Sequence, residues 1–93
     1  MTNSSPFEIQ EMTTEQRELL RNLLSAGLSA TTAVAHIEEK YLTSDLYHLT
    51  NRLGDVIAIS HRLIELGLLS GDVMDLRMRQ KAKELDNYAH VQG

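Results

Sequence analysis

Between residues 42 and 66 apolar positions recur at intervals of four and three: Leu42, Leu46, Leu49, Leu53, Val56, Ser60 and Leu63, with serine the one polar member. That spacing keeps side chains on one line of a helix, the seam along which it packs lengthwise on another helix. The flanks of the seam change halfway along. Thr43, Asp45, Thr50 and Arg52 border its first half, and Ile57, Ile59, Ile64 and Leu66 its second. A narrow stripe needs one partner helix, whereas a wide one must be covered from two sides. The pattern therefore predicts a long helix whose C-terminal half lies inside its own bundle. Its N-terminal half is expected to pack on one further helix, from the same chain or another. Two irregularities sit on it. Gly54 falls in mid-helix, where glycine costs about 1 kcal/mol relative to alanine, and leaves room for a kink or for another backbone. Ser60 occupies the seam, where its hydroxyl can bond back to the carbonyl of Val56.

The other elements follow from their punctuation. Thr13 and Gln16 have the spacing of a capping box, so a first helix is expected from Thr13 or Thr14, burying Leu19, Leu20, Leu23 and Leu24. Gly27 is read as its stop, a left-handed C′ residue with Leu28 folded back on Leu23. Ser29 then caps a second helix with Ala33, Val34, Ile37 and Tyr41 on one side. The long helix, entered through Thr43 or Ser44 or else continuous from Ala30, should end at Gly67, with Leu68 reaching back to Leu63. A last helix begins near Ser70 to Asp72 and aligns Met74, Met78, Ala82, Leu85 and Ala89 on a face read as core, exposed only toward Tyr88. Strand signals are missing, with little β-branched alternation and no Asn-Gly or Asp-Gly turn. The expected class is all-α: a small bundle of about four helices with one long heptad-patterned helix. Residues 13–90 would form its single domain, after a flexible arm at 1–12 and before a frayed end at 91–93.

Size sharpens that expectation. A chain of 93 residues buries only about 60–65% of its unfolded surface, so self-association is an economical way to cover more apolar area. Cysteine is absent, which removes disulfides and thiol chemistry. No apolar run approaches the length of a membrane span, and the N-terminus lacks the basic and apolar regions of a signal peptide. The expected location is the cytoplasm.

Charge and candidate chemistry narrow the function. The formal charge is −4, with six acids against two bases in residues 1–39 and Arg77, Arg79, Lys81 and Lys83 near the end. One concentrated basic face, the footprint of a nucleic-acid binder, is missing. The segment from Leu20 to Ile37 has the outline of a helix-turn-helix, but its second helix would point Glu38 and Glu39 at phosphates. Helical geometry also divides Arg79 and Lys83 from Arg77 and Lys81. Asp45 with His48, His36 with Glu39, and His61 with Glu65 could each offer two metal ligands, yet no Glu-x-x-His motif occurs. No serine sits in a glycine-flanked elbow, and the glycines are too scattered to cradle a phosphate. Catalytic residues, metal and cofactor are therefore not expected, nor is an enzyme.

What remains is an interaction module: a small regulator, inhibitor or adaptor that binds a partner protein through an apolar helix face, and is itself a homodimer. The residues expected to carry it are Leu42, Leu46, Leu49 and Leu53, with Asp45 and Arg52 setting register and Phe7 and Ile9 of the arm contributing. The alternative is a nucleic-acid-binding regulator using the helix-turn-helix-like unit or the basic C-terminal helix.

Overall fold

The computed structural model describes residues 11–40 and 43–92. It contains three α-helices, α1 (Thr14–Lys40), α2 (Thr43–Glu65) and α3 (Gly71–Gln92), and no strand among the described residues. The all-α class stands, and the number of helices falls from about four to three because Gly27 does not stop α1. The Thr31 hydroxyl donates to the carbonyl of Gly27 at 2.9 Å, and that of Thr32 to Leu28 at 2.9 Å, as happens inside a continuous helix. Ser29 is consequently not a cap, and Leu28 does not fold back on Leu23. Leu28 stands 61% exposed, and Leu24, expected in the buried face, 64%.

The reason lies in a second seam that runs straight through Gly27. Leu19, Leu23, Ala26, Ala30, Ala33 and Ile37 follow at intervals of four and three. Ala26, Ala30 and Ala33 are buried and the other three half-buried. Breaking the helix at Gly27 would lift Ala30, Ala33 and Ile37 off α2. One mid-helix glycine, at about 1 kcal/mol, costs less than losing those contacts. The starting point of α1 is as expected: Thr13 N–H donates to Gln16 Oε1 at 3.0 Å and Gln16 N–H to Thr13 Oγ1 at 3.1 Å, closing the capping box.

Helices α1 and α2 form an antiparallel hairpin and make the dominant packing of the molecule. On α2, Leu49 and Val56 are half-buried and Leu63 is wholly so, the largest side chain removed from water among the described residues. Alanines on one helix face leucines and valine on the other, so the helices approach closely with few large groups in the core. Polar tethers fix the register. Gln16 Nε2 donates to the carbonyl of Leu66 at 3.2 Å, Arg62 pairs with Glu15 at 3.1 Å while Glu65 of its own helix holds it at 2.9 Å, and Ser29 Oγ lies 3.2 Å from His48 Nε2. Glu65 and Glu15 together raise the pKa of the Arg62 guanidinium, first by hydrogen bonding and then by their charge.

The end of α2 follows its sequence closely. Gly67 adopts φ 81°, its N–H donates to the carbonyl of Ile64, and the N–H of Leu68 donates to Leu63, both at 3.0 Å. That is the Schellman pair of bonds, which only a left-handed C′ residue allows. Ser70 Oγ then accepts from the N–H of Val73 at 3.2 Å and starts α3. The face of α3 read as core is not core. Met78 is 63% and Leu85 56% exposed, and only Gly71 and Met74 are half-buried among the helix's described side chains. α3 touches the hairpin with its first turns and then leaves it. Its side chains instead pair with one another: Arg77 and Lys81 with Glu84, and Arg79 with Asp75.

Candidate functional site

The hairpin has two unlike sides, and helical geometry makes them so. At 100° per residue, the positions counter-clockwise of each buried seam, viewed from that helix's N-terminus, are mostly polar: Asn22, Ser25 and Ser29 on α1, His48, Arg52 and Asp55 on α2. Because the helices run antiparallel, these two edges meet on one side. Ser29 and His48 touch there, and Asn22, Ser25, Arg52 and Asp55 line a shallow cavity of about 300 Å³. By the same geometry the clockwise edges meet on the opposite side. They carry Leu20, Leu24, Gly27 and Val34 from α1, and Leu46, Leu53, Ile57 and Ile64 from α2, with Thr31, Glu38, Thr50 and His61 interspersed.

This apolar side divides the α2 seam. Leu49, Val56 and Leu63 turn toward α1, whereas Leu46 and Leu53 turn away and remain 44% and 46% exposed, with Ile57 beside them at 57%. A regular four–three seam on a helix of 3.6 residues per turn drifts slowly around the axis. One neighbouring helix covers half of it and leaves the rest exposed.

The expected site residues therefore fall into three groups. Leu46 and Leu53 lie on the open apolar side. Leu49, Asp45 and Arg52 are half-buried along the α1–α2 junction, where Arg52 pairs with Asp55 at 2.9 Å and its Nε is buried without a hydrogen-bond partner. Leu42, Phe7 and Ile9 lie outside the described residues. Leu24 and Val34 were missed as exposed apolar groups. The alanine spacing of α1 could have revealed them, since it assigns the buried line to Ala26, Ala30 and Ala33 and turns Leu24 outward.

α3 adds a second stripe, running from half-buried Met74 to exposed Met78 and Leu85 with Tyr88 at its edge, and Lys81 lies within the same arc of the helix. Its origin is tied to the apolar side of the hairpin. A Cβ on Gly71 would lie 3.3 Å from Ile64 Cγ2, and Met74 and Met78 share a cavity of about 150 Å³ with Val56, Ile57, Ser60 and His61. At the other flank of α3, Leu69, Val73, Met74 and Met78 line an open cleft of about 630 Å³, with Arg77 and Lys81 at its rim.

Among the described residues no three His, Asp or Glu side chains gather where they could hold a metal ion. The helix-turn-helix outline loses its turn, because α1 is unbroken from Thr14 to Lys40. Three of the four late cations are engaged: Arg77 and Lys81 with Glu84, Arg79 with Asp75. Arg77 and then Lys81 hold the Glu84 carboxyl below the usual carboxylate range. No described helix is long and apolar enough to cross a membrane. No family model matches the chain, and no curated protein or solved structure shows significant similarity to it.

Proposed function

We propose that this chain is a non-enzymatic protein–protein interaction module, a small regulator, inhibitor or adaptor that works by occupying or stabilising a partner. The observation that supports it is the open apolar side of the hairpin, where Leu24, Leu46, Leu53 and Ile57 stay in water although a polar side lies directly opposite. Contiguous apolar area of this kind, rimmed by polar groups, marks binding surfaces more often than inert ones. Apolar anchors would enter the partner, and the surrounding charges would set orientation.

The two halves of the α2 seam test this reading. Leu46→Asp should keep the helix content seen by circular dichroism and abolish cross-linking to a partner that the wild-type chain captures. Leu49→Asp, placed toward α1, should instead unfold the hairpin. Unfolding by Leu46→Asp, or unchanged capture after it, would count against the proposal. Salt-sensitive retention on DNA or RNA, lost on converting Arg79 and Lys83 to glutamate, would favour the nucleic-acid alternative.

A further inference from the structure

We propose that the occupant of the apolar side is a second copy of this chain, docked by reciprocal exchange of α3. The stripe of Met78 and Leu85 from one copy lies on the Leu24 and Leu53 face of the other, and the reverse contact forms at the same time. The inference rests on the reading of that side as a binding surface and names what binds it.

Three observations lead there. The first is complementarity within one sequence. Among the described residues no third helix covers the apolar side of the hairpin, and on α3 Met78 and Leu85 stay mostly exposed. The exposed stretches are alike in length, Leu46 to Ile57 on α2 and Met78 to Tyr88 on α3. The second is the way α3 departs. It starts on the correct side, against Ile64 and Ile57, and is then carried away from its own hairpin by a connection locked at Gly67 and capped at Ser70. A stripe next to the face it fits, but directed away from it, is the arrangement a two-fold axis completes.

The third is area. The chain exposes 7754 Å². A compact globule with the mass of the described residues exposes about 4,900 Å², and the thirteen others account for at most about 2,100 Å² even fully bared. About 750 Å² per chain is left over, close to the roughly 800 Å² that each partner contributes to a standard stable interface.

The exchange makes a demand that other dimers do not. A copy damaged in its face and a copy damaged in its stripe can still form one intact contact when mixed. Leu53→Asp damages the face and Leu85→Asp the stripe; Leu24→Asp serves as the face variant should Leu53→Asp lose its helix content. Sedimentation equilibrium over a concentration series should show a wild-type dimer. Each variant alone should dissociate with a constant raised on the order of thirtyfold or more. An equimolar mixture should recover a heterodimer more stable than either parent.

A mixture as dissociated as its parents would overturn the exchange in favour of face-on-face or stripe-on-stripe pairing. A strictly monomeric wild type would also overturn it, while leaving the apolar side open to a different protein. Loss of helix content in both Leu53→Asp and Leu24→Asp would sink the exchange and the binding reading together.

Discussion

Gly27 and Gly67 stand in similar local patterns, Leu-Leu-Ser-Ala-Gly-Leu and Leu-Ile-Glu-Leu-Gly-Leu, and the structure gives them opposite roles. Replacing each by alanine should therefore move stability in opposite directions. Gly27 is inside α1, and a Cβ built there meets nothing within 4 Å. Alanine brings only its helical preference, a gain of about 0.8–1.0 kcal/mol. Gly67 has equally open space but φ 81°, so alanine must adopt a left-handed conformation at about 1–2 kcal/mol or abandon the Schellman bonds. For a domain of this size each kcal/mol moves the melting temperature by about 4–8 °C. Gly27→Ala should melt several degrees higher than wild type, and Gly67→Ala lower by about 5–15 °C. Circular dichroism at 222 nm, followed with temperature and with urea at matched concentrations, measures both. A destabilised Gly27→Ala would refute the reasoning, because it would mean that the chain turns at Gly27 and that α1 is two helices.

Other consequences are as direct. Leu63→Ala should cost about 2–5 kcal/mol, since it opens a cavity where the largest fully buried side chain stood; urea titration reads the loss, and a change below about 1 kcal/mol would place Leu63 outside the core. Ala30→Leu should destabilise by about 1–3 kcal/mol by forcing α1 and α2 apart, whereas the same enlargement at exposed Ala35 should change little. Because Arg77 and Lys81 lower the Glu84 pKa in the folded chain, folded α3 binds fewer protons there than the unfolded segment. Their contribution to helix content is present above the ordinary carboxylate range and disappears as pH falls through the lowered value. Glu84→Gln should flatten that acid limb in a pH titration of ellipticity, and an unchanged limb would assign it to other carboxylates.

The parts of the fold legible in the sequence are those set by local chemistry. The Thr13–Gln16 box, the stop at Gly67, the Ser70 cap and the back-bond from Ser60 to Val56 at 2.7 Å each depend on residues within a few positions of one another. Gly27 was misread because its neighbours fit the same local rule, while the deciding contact comes from another helix. α1 is held straight by α2 through three alanines, and alanine carries little hydrophobic signal. The open site was partly legible for a similar reason. Spacing shows that Leu46, Leu49 and Leu53 share a broad face, but only the position of α1 decides that Leu49 is covered and its neighbours are not. The exposure of the α3 stripe depends on where the chain goes after Ser70, which no periodicity within α3 encodes.

The self-pairing of α3 has a consequence for how the molecule moves in time. Isolated helices of about 20 residues are marginal in water, and exposed ion pairs such as Arg79–Asp75 add only about 0.3–0.5 kcal/mol each. The amides of α3 beyond its first turns should therefore exchange with deuterium through local opening, orders of magnitude faster than those around Leu63, which wait for the whole hairpin to unfold. Whatever settles on the Met78–Leu85 stripe must slow that exchange. The backbone of α3 thus reports occupancy directly, residue by residue, without an attached probe and without knowledge of the ligand.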